Sequence, residues 1–134
     1  MKKMMTNKKR QVAGTHYSRL KIEPVDLMVI FKMDWFQGEI LKYSSRYNNK
    51  NGLEDLKKAI SVCQLSIDRG LASEDLYAEL DLEENRKILE EYINQFNCTQ
   101  LWFLVPSIIK RNYYYSIELL EEMIHDYEEE DAQS

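Results

Sequence analysis

Residues 53–70 read LEDLKKAISVCQLSIDRG. Leu53, Leu56, Ile60, Cys63 and Ile67 recur at steps of 3, 4, 3 and 4, the spacing of one apolar helix stripe. Gly70 follows as a C-terminal stop. Just upstream, Asn48, Asn49, Asn51 and Gly52 mark a turn. Before that turn, Phe36, Ile40, Tyr43 and Tyr47 step by 4, 3 and 4 behind Asp34 as N-cap, which predicts a helix over Trp35 to Tyr47. Two helices of similar length joined by a short turn form an antiparallel pair. The chain therefore reads as all-α, a small helical bundle built on this central hairpin with a further acidic helical part towards the C-terminus.

Working outward, Pro24 suits the first turn of a short helix whose apolar face is Leu27, Ile30 and Phe31. Gly14 to Tyr17 belong to an irregular entry segment, and residues 1–11 read as a flexible basic tail. Residues 12–70 form the hairpin domain. Residues 71–134 form an acidic helical extension, packed on that domain or on a neighbouring subunit. Within the extension, Asp81 and Glu84 make a capping-box-like start for a helix to about Phe96, with Leu89, Tyr92, Ile93 and Phe96 as its apolar side. Leu101–Val105 reads either as a short strand or as a buried helical turn, with a kink or break at Pro106. The last helix runs from about Ser116 to Glu129, with Ile117, Leu120, Ile124 and Tyr127 inward.

The 134 residues carry a net charge of −5 that conceals a division at Gly70. Residues 1–70 hold 14 basic against 7 acidic side chains, and residues 71–134 hold 4 against 16. A basic half implies an anion-facing surface, and an acidic half a solvated one. No purely apolar run exceeds the five residues of Leu101–Val105, far short of the roughly 18 residues of a membrane span. No secretory signal is apparent at the basic N-terminus. Cys63 and Cys98 are too far apart for a local metal motif and read as small buried hydrophobes in a reducing cytoplasm.

Chemistry concentrates on the hairpin. Lys42 and Arg46 lie one turn apart on a helix face, Lys50 follows in the turn, and Asp55, Lys57 and Lys58 open the next helix. Folding the pair gathers Lys42, Arg46, Lys50 and Lys58 at one end, beside a helix N-terminus. That combination suits a phosphate, with Arg46 as a bidentate grip and the lysines as point charges. The plainer alternative is a solvated face of ordinary pairs such as Glu39–Lys42 and Glu54–Lys58. His16 and Tyr17 either pack locally or contact a base or sugar. His125 reads as a surface residue. The carboxylates of residues 83–91 and 118–126 read as solvated faces, and no metal site is assigned. A conventional P-loop is absent from the sequence.

Several of these stretches also carry a resemblance. Gly14-Thr15-His16-Tyr17, Ile22-Glu23-Pro24-Val25-Asp26, Gly38-x-x-x-Lys42-Tyr43-x-x-Arg46 and Lys50-x-x-x-x-Asp55-Leu56-x-Lys58-Ala59 resemble the phage family known as domain of unknown function 3310. The similarity runs over about residues 14–68. Its polar positions fall on His16, Tyr17, Lys42, Arg46, Lys50, Asp55 and Lys58. One coliphage member is described as a deoxynucleoside monophosphate kinase that lacks a Walker motif and forms a large oligomer. The resemblance thus implies a nucleotide-binding, kinase-like protein in the cytoplasm of an infected bacterium, working as a homo-oligomer. ATP would be the phosphoryl donor, and Mg2+ a possible companion. In that reading Lys42, Arg46 and Asp55 are the catalytic candidates, and His16, Tyr17, Lys42, Arg46, Lys50 and Lys58 bind substrate. Two alternatives stand beside it. One is a non-catalytic module that sequesters a nucleotide. The other is an acidic factor that binds a host protein. Neither membrane nor nucleic acid is expected as a partner.

Overall fold

The computed structural model describes residues 21–49, 52–75 and 82–133. Its elements are α1 (Pro24–Ile30), α2 (Trp35–Arg46), a short 3-10 turn (Tyr47–Asn49), α3 (Leu53–Asp68), α4 (Arg86–Asn94), α5 (Leu101–Ile109) and α6 (Tyr113–Gln133). The fold is all-α, with no strand among the described residues.

Local chemistry explains the helix ends. Pro24 occupies the first turn of α1, where its missing N–H leaves no gap, and the Asp26 carboxylate accepts from the Glu23 N–H at 2.8 Å. α2 begins with a reciprocal capping box: Asp34 accepts from the Gln37 N–H and Gln37 Oε1 accepts from the Asp34 N–H, both at 2.9 Å. α3 stops where expected. Gly70 takes φ +73, and the Leu71 N–H reaches back to the Ser66 carbonyl at 3.0 Å, closing the last turn.

One open alternative is settled and two expectations are corrected. Leu101–Val105 is helical, and α5 continues through Pro106. The carbonyl that Pro106 leaves without a helical donor belongs to Trp102, an exposed residue, where water can serve it. α6 starts at Tyr113 rather than Ser116, because Asn112 Oδ1 accepts the Tyr115 N–H at 3.1 Å and caps the helix early. α4 starts at Arg86, after Asn85; Asp81, the expected cap, lies outside the described residues.

α3 packs most extensively on α6 and α2, and α5 packs on α6 and α2. One apolar cluster runs through all of these, from Ile22, Leu27 and Leu41 through Leu56, Cys63 and Tyr92 to Leu104, Tyr113 and Met123. The charge division at Gly70 therefore does not divide the core.

The buried faces also differ in phase from the apolar stripes. On α2 the innermost residues are Gln37, Gly38, Ile40, Leu41, Ser44 and Ser45, while Tyr43 and Tyr47 are only half-buried. On α3 they are Asp55, Leu56, Ala59, Cys63 and Ser66. These polar groups enter the core because each finds a partner. Gln37 Nε2 donates to the Ile108 and Ile109 carbonyls at 3.0 and 3.1 Å, ties the start of α2 to the end of α5, and leaves Oε1 for its cap. Ser66 donates to the Val62 carbonyl at 2.8 Å, and Ser107 and Ser116 meet at 2.8 Å between α5 and α6.

Candidate anion-binding site

The site is built where α2 and α3 pack together. Lys42, Tyr43 and Arg46 come from α2, and Asp55 and Lys58 from α3. The half-buried Tyr43 ring is the common element. Arg46 Cζ lies 4.9 Å from its centroid, Lys42 Nζ 5.2 Å and Lys58 Nζ 5.6 Å. A tyrosine face attracts a cation by about 0.5–1 kcal/mol at exposed positions, which lets one ring gather three charges that repel one another.

Arg46 is held from behind. Its Nε stands 3.5 Å from Asp55 Oδ2, and the Asp55 side chain is fully excluded from solvent. At this distance the contact is an ion pair without a hydrogen bond from Nε, and the buried carboxylate offsets part of the guanidinium charge. Lys42 has its own partner, Glu39, at 2.9 Å across one turn. Pairs of this kind are worth about 0.3–0.5 kcal/mol, so Glu39 holds Lys42 only weakly. Lys58 is exposed and faces the ring. The Glu54–Lys58 pair weighed as the plainer reading is not among the ion pairs of the described residues.

The structure thus brings Lys42, Arg46, Asp55 and Lys58 together. His16, Tyr17 and Lys50, the other residues singled out from the sequence, lie outside the described residues. Tyr43, read from its spacing as part of a buried stripe, is half-buried and packs against the core; its second role, facing three cations, is what spacing missed. Its signal was its position among Lys42, Arg46 and Lys58, which periodicity alone files under hydrophobic.

The turn entering α3 is shaped by Gly52, at φ +57 and ψ −124, a region open essentially to glycine. A Cβ there would fall on the Tyr127 hydroxyl of α6. Tyr127 also meets Tyr47 edge-on at 6.0 Å between centroids, so α6 fixes both ends of the connection between α2 and α3.

Residues 12–62 match the model of the family described as a protein of unknown function, DUF3310. The chain resembles DUF3310. Lys42, Arg46, Asp55 and Lys58 all fall within that stretch, whereas α4, α5 and α6 lie beyond it. Neither a curated protein nor a solved structure matches the chain.

The acidic faces have structural employment. Gln100 Nε2 donates to Glu122 Oε1 at 3.0 Å and to Asp126 Oδ2 at 2.7 Å, pinning the start of α5 to α6. His125 is exposed and pairs with Glu129 at 3.6 Å. Among the described residues no three His, Cys, Asp or Glu side chains converge as a metal site, and no helix is long and apolar enough to cross a membrane.

Proposed function

We propose that this protein binds a nucleotide through its phosphates at Lys42, Arg46 and Lys58, and transfers a phosphoryl group between nucleotides as a nucleoside monophosphate kinase does. The observation that carries the binding half is the convergence of three cations on the Tyr43 ring, one of them held in place by buried Asp55. Glu39 and buried Asp55 offset two of these three charges, which leaves a cluster of about one net positive charge that an anion can complement. A polyphosphate offers enough oxygens to satisfy all three. Arg46 would take two of these in its planar fork, and the lysines would follow the remaining charge. Neutralising the phosphates lowers the repulsion between an anionic donor and an anionic acceptor, the main electrostatic barrier to phosphoryl transfer.

The transfer step, the phage origin and the cytoplasm of an infected bacterium as the place of work are supported by the resemblance of the hairpin region to its family. Self-association is supported by the exposed apolar side chains of Val25, Val29, Trp35 and Phe103, all at least half exposed. Light scattering on the purified protein reads that state directly.

The deciding experiment is calorimetric titration with pyrophosphate and with each deoxynucleoside monophosphate. It is followed by chromatography of mixtures containing ATP, Mg2+ and the monophosphate. Binding that is lost in the Lys42→Ala/Lys58→Ala variant, with an unchanged helical circular dichroism spectrum, is the expected result. Conversion to the diphosphate supports the kinase assignment. Binding without turnover of any acceptor replaces it with sequestration, and no binding at all overturns the nucleotide reading.

A further inference from the structure

A second site lies at the end of α2. Ser45, Tyr47, Asn48, Gln95, Phe96, Asn97, Cys98 and Leu101 line a pocket of about 220 Å³. We infer that it takes an uncharged planar ring carrying adjacent carbonyl and N–H groups, such as a lactam or a ring carboxamide.

Size is the first argument. Pockets for drug-sized ligands run to about 300–1,000 Å³, so this one suits a single ring system. The lining gives the second: none of the described side chains that line it is acidic or basic. A charged ligand would lose hydration there without a counter-charge.

The polar groups exclude the opposite case, a purely apolar ring. Ser45 is about nineteen-twentieths buried (relative exposure 5%). Its oxygen accepts the Tyr92 hydroxyl at 2.6 Å, which leaves its own proton for another acceptor. Asn48 and Asn97, both exposed, bring amides to the rim, each able to donate and accept in one plane. An apolar occupant would desolvate these groups with nothing in return.

The walls are already fixed. Phe96 is packed at 5.1 Å on Tyr92, and Tyr47 on Tyr127. Gln95 clasps Ile22 with both ends of its amide, at 2.9 Å each way, so it closes the pocket rather than serving the ligand. Aromatic walls in place before binding favour a flat ring and reduce the ordering cost. The site is independent of the phosphate reading, since neither Lys42 nor Lys58 lines it.

The test is a titration followed by 1H–15N spectra of the full chain, with uracil, its carboxylate orotate, and indole as probes. Uracil is expected to shift the side-chain amides of Asn48 and Asn97 and the backbone amide of Ser45. Orotate and indole should bind roughly tenfold more weakly, the effect of one unpaired polar or charged group. Asn97→Leu, at an exposed rim position, should weaken uracil while leaving pyrophosphate binding intact. Lys42→Ala/Lys58→Ala should do the reverse, so the two sites fail separately. Absence of these shifts with uracil, or equal affinity for indole or orotate, overturns the assignment.

Discussion

Arg46 and Asp55 form a charge pair across α2 and α3 in which the carboxylate is wholly buried and the guanidinium keeps a solvent-facing edge (side-chain exposure 0% and 15%, Nε to Oδ2 3.5 Å). Removing one partner of a buried pair costs far more than the pair is worth, because the other is left uncompensated. Asp55→Ala is therefore expected to lower stability by about 3 kcal/mol in urea denaturation. Asp55→Asn, which retains hydrogen-bonding capacity, should cost less. Equal stability of Asp55→Ala and the parent protein would contradict this arrangement.

Tyr43 gathers the cations through its π face and not through its hydroxyl. Tyr43→Phe should leave anion affinity nearly unchanged. Tyr43→Leu, which keeps an apolar side chain but removes the ring, should weaken pyrophosphate binding about fivefold, the equivalent of about 1 kcal/mol. Calorimetry on the three proteins checks the order, and a loss in Tyr43→Phe as large as that in Tyr43→Leu would point to the hydroxyl instead.

Gly52 combines positive φ with a neighbour standing where a Cβ would go. Gly52→Ala should destabilise the chain by about 1–3 kcal/mol. Tyr127→Phe removes the clashing hydroxyl but keeps the ring carbon 2.9 Å from the added Cβ, so the double variant should recover some of the steric part and retain the backbone part. A double-mutant cycle without coupling between the two positions would show that the contact is absent.

Gln37 and Asn112 hold helix ends. Gln37→Ala removes a cap and two inter-helix hydrogen bonds and is expected to cost about 2–3 kcal/mol. Asn112→Ala removes only the α6 cap and should cost about 1 kcal/mol. Thermal unfolding that ranks them in the opposite order would overturn this division of labour.

Alkaline stability follows from two buried acids. Burial pushes the Cys63 thiol from 9.0 up to about 12, and burial first, then Asp34, pushes the Tyr113 hydroxyl from 10.0 up to about 12. Both groups are neutral when protonated, and the folded state holds the proton more tightly than the unfolded state. Their contribution is therefore complete below pH 9 and declines above it, for Cys63 over about pH 9–12 and for Tyr113 over about pH 10–12. The slope is at most about 1.4 kcal/mol per pH unit for each group. Denaturation at pH 8, 9.5 and 10.5 should show the fall, and Cys63→Ala should flatten its first part. An identical pH profile in that variant would remove Cys63 as the cause.

Legibility from sequence was uneven for physical reasons. α1, α2 and α3 were readable because their caps and stops, Pro24, Asp34 and Gly70, act within one turn of the chain. α5 was ambiguous because a five-residue apolar run has no period to read, and its Pro106 weighed against the helix that formed. The early start of α6 depended on Asn112, a local cap that passed unnoticed beside the apolar spacing beginning at Ile117. Cys98 departs from its reading as a buried hydrophobe. It is half-buried and accepts the Tyr47 hydroxyl at 3.8 Å, while burial and then Cys98 itself hold that hydroxyl above the usual tyrosine range.

The amino-acid sequence by itself determined an all-α chain, most helix positions and the basic patch on the hairpin. Those properties rest on 3.6-residue periodicity, capping chemistry and charge counts, all local. Tertiary structure decided which face of each helix turned inward. Gln37, Ser44, Ser45, Asp55 and Ser66 are buried because partners on the same or neighbouring helices satisfy them, which hydrophobicity cannot foresee. It also set Tyr43, which packs against the core, among three cations, since that placement exists only when α2 and α3 pack together. The pocket of Ser45 and Asn97 has the same origin: its walls come from segments about fifty residues apart, and only packing makes them neighbours.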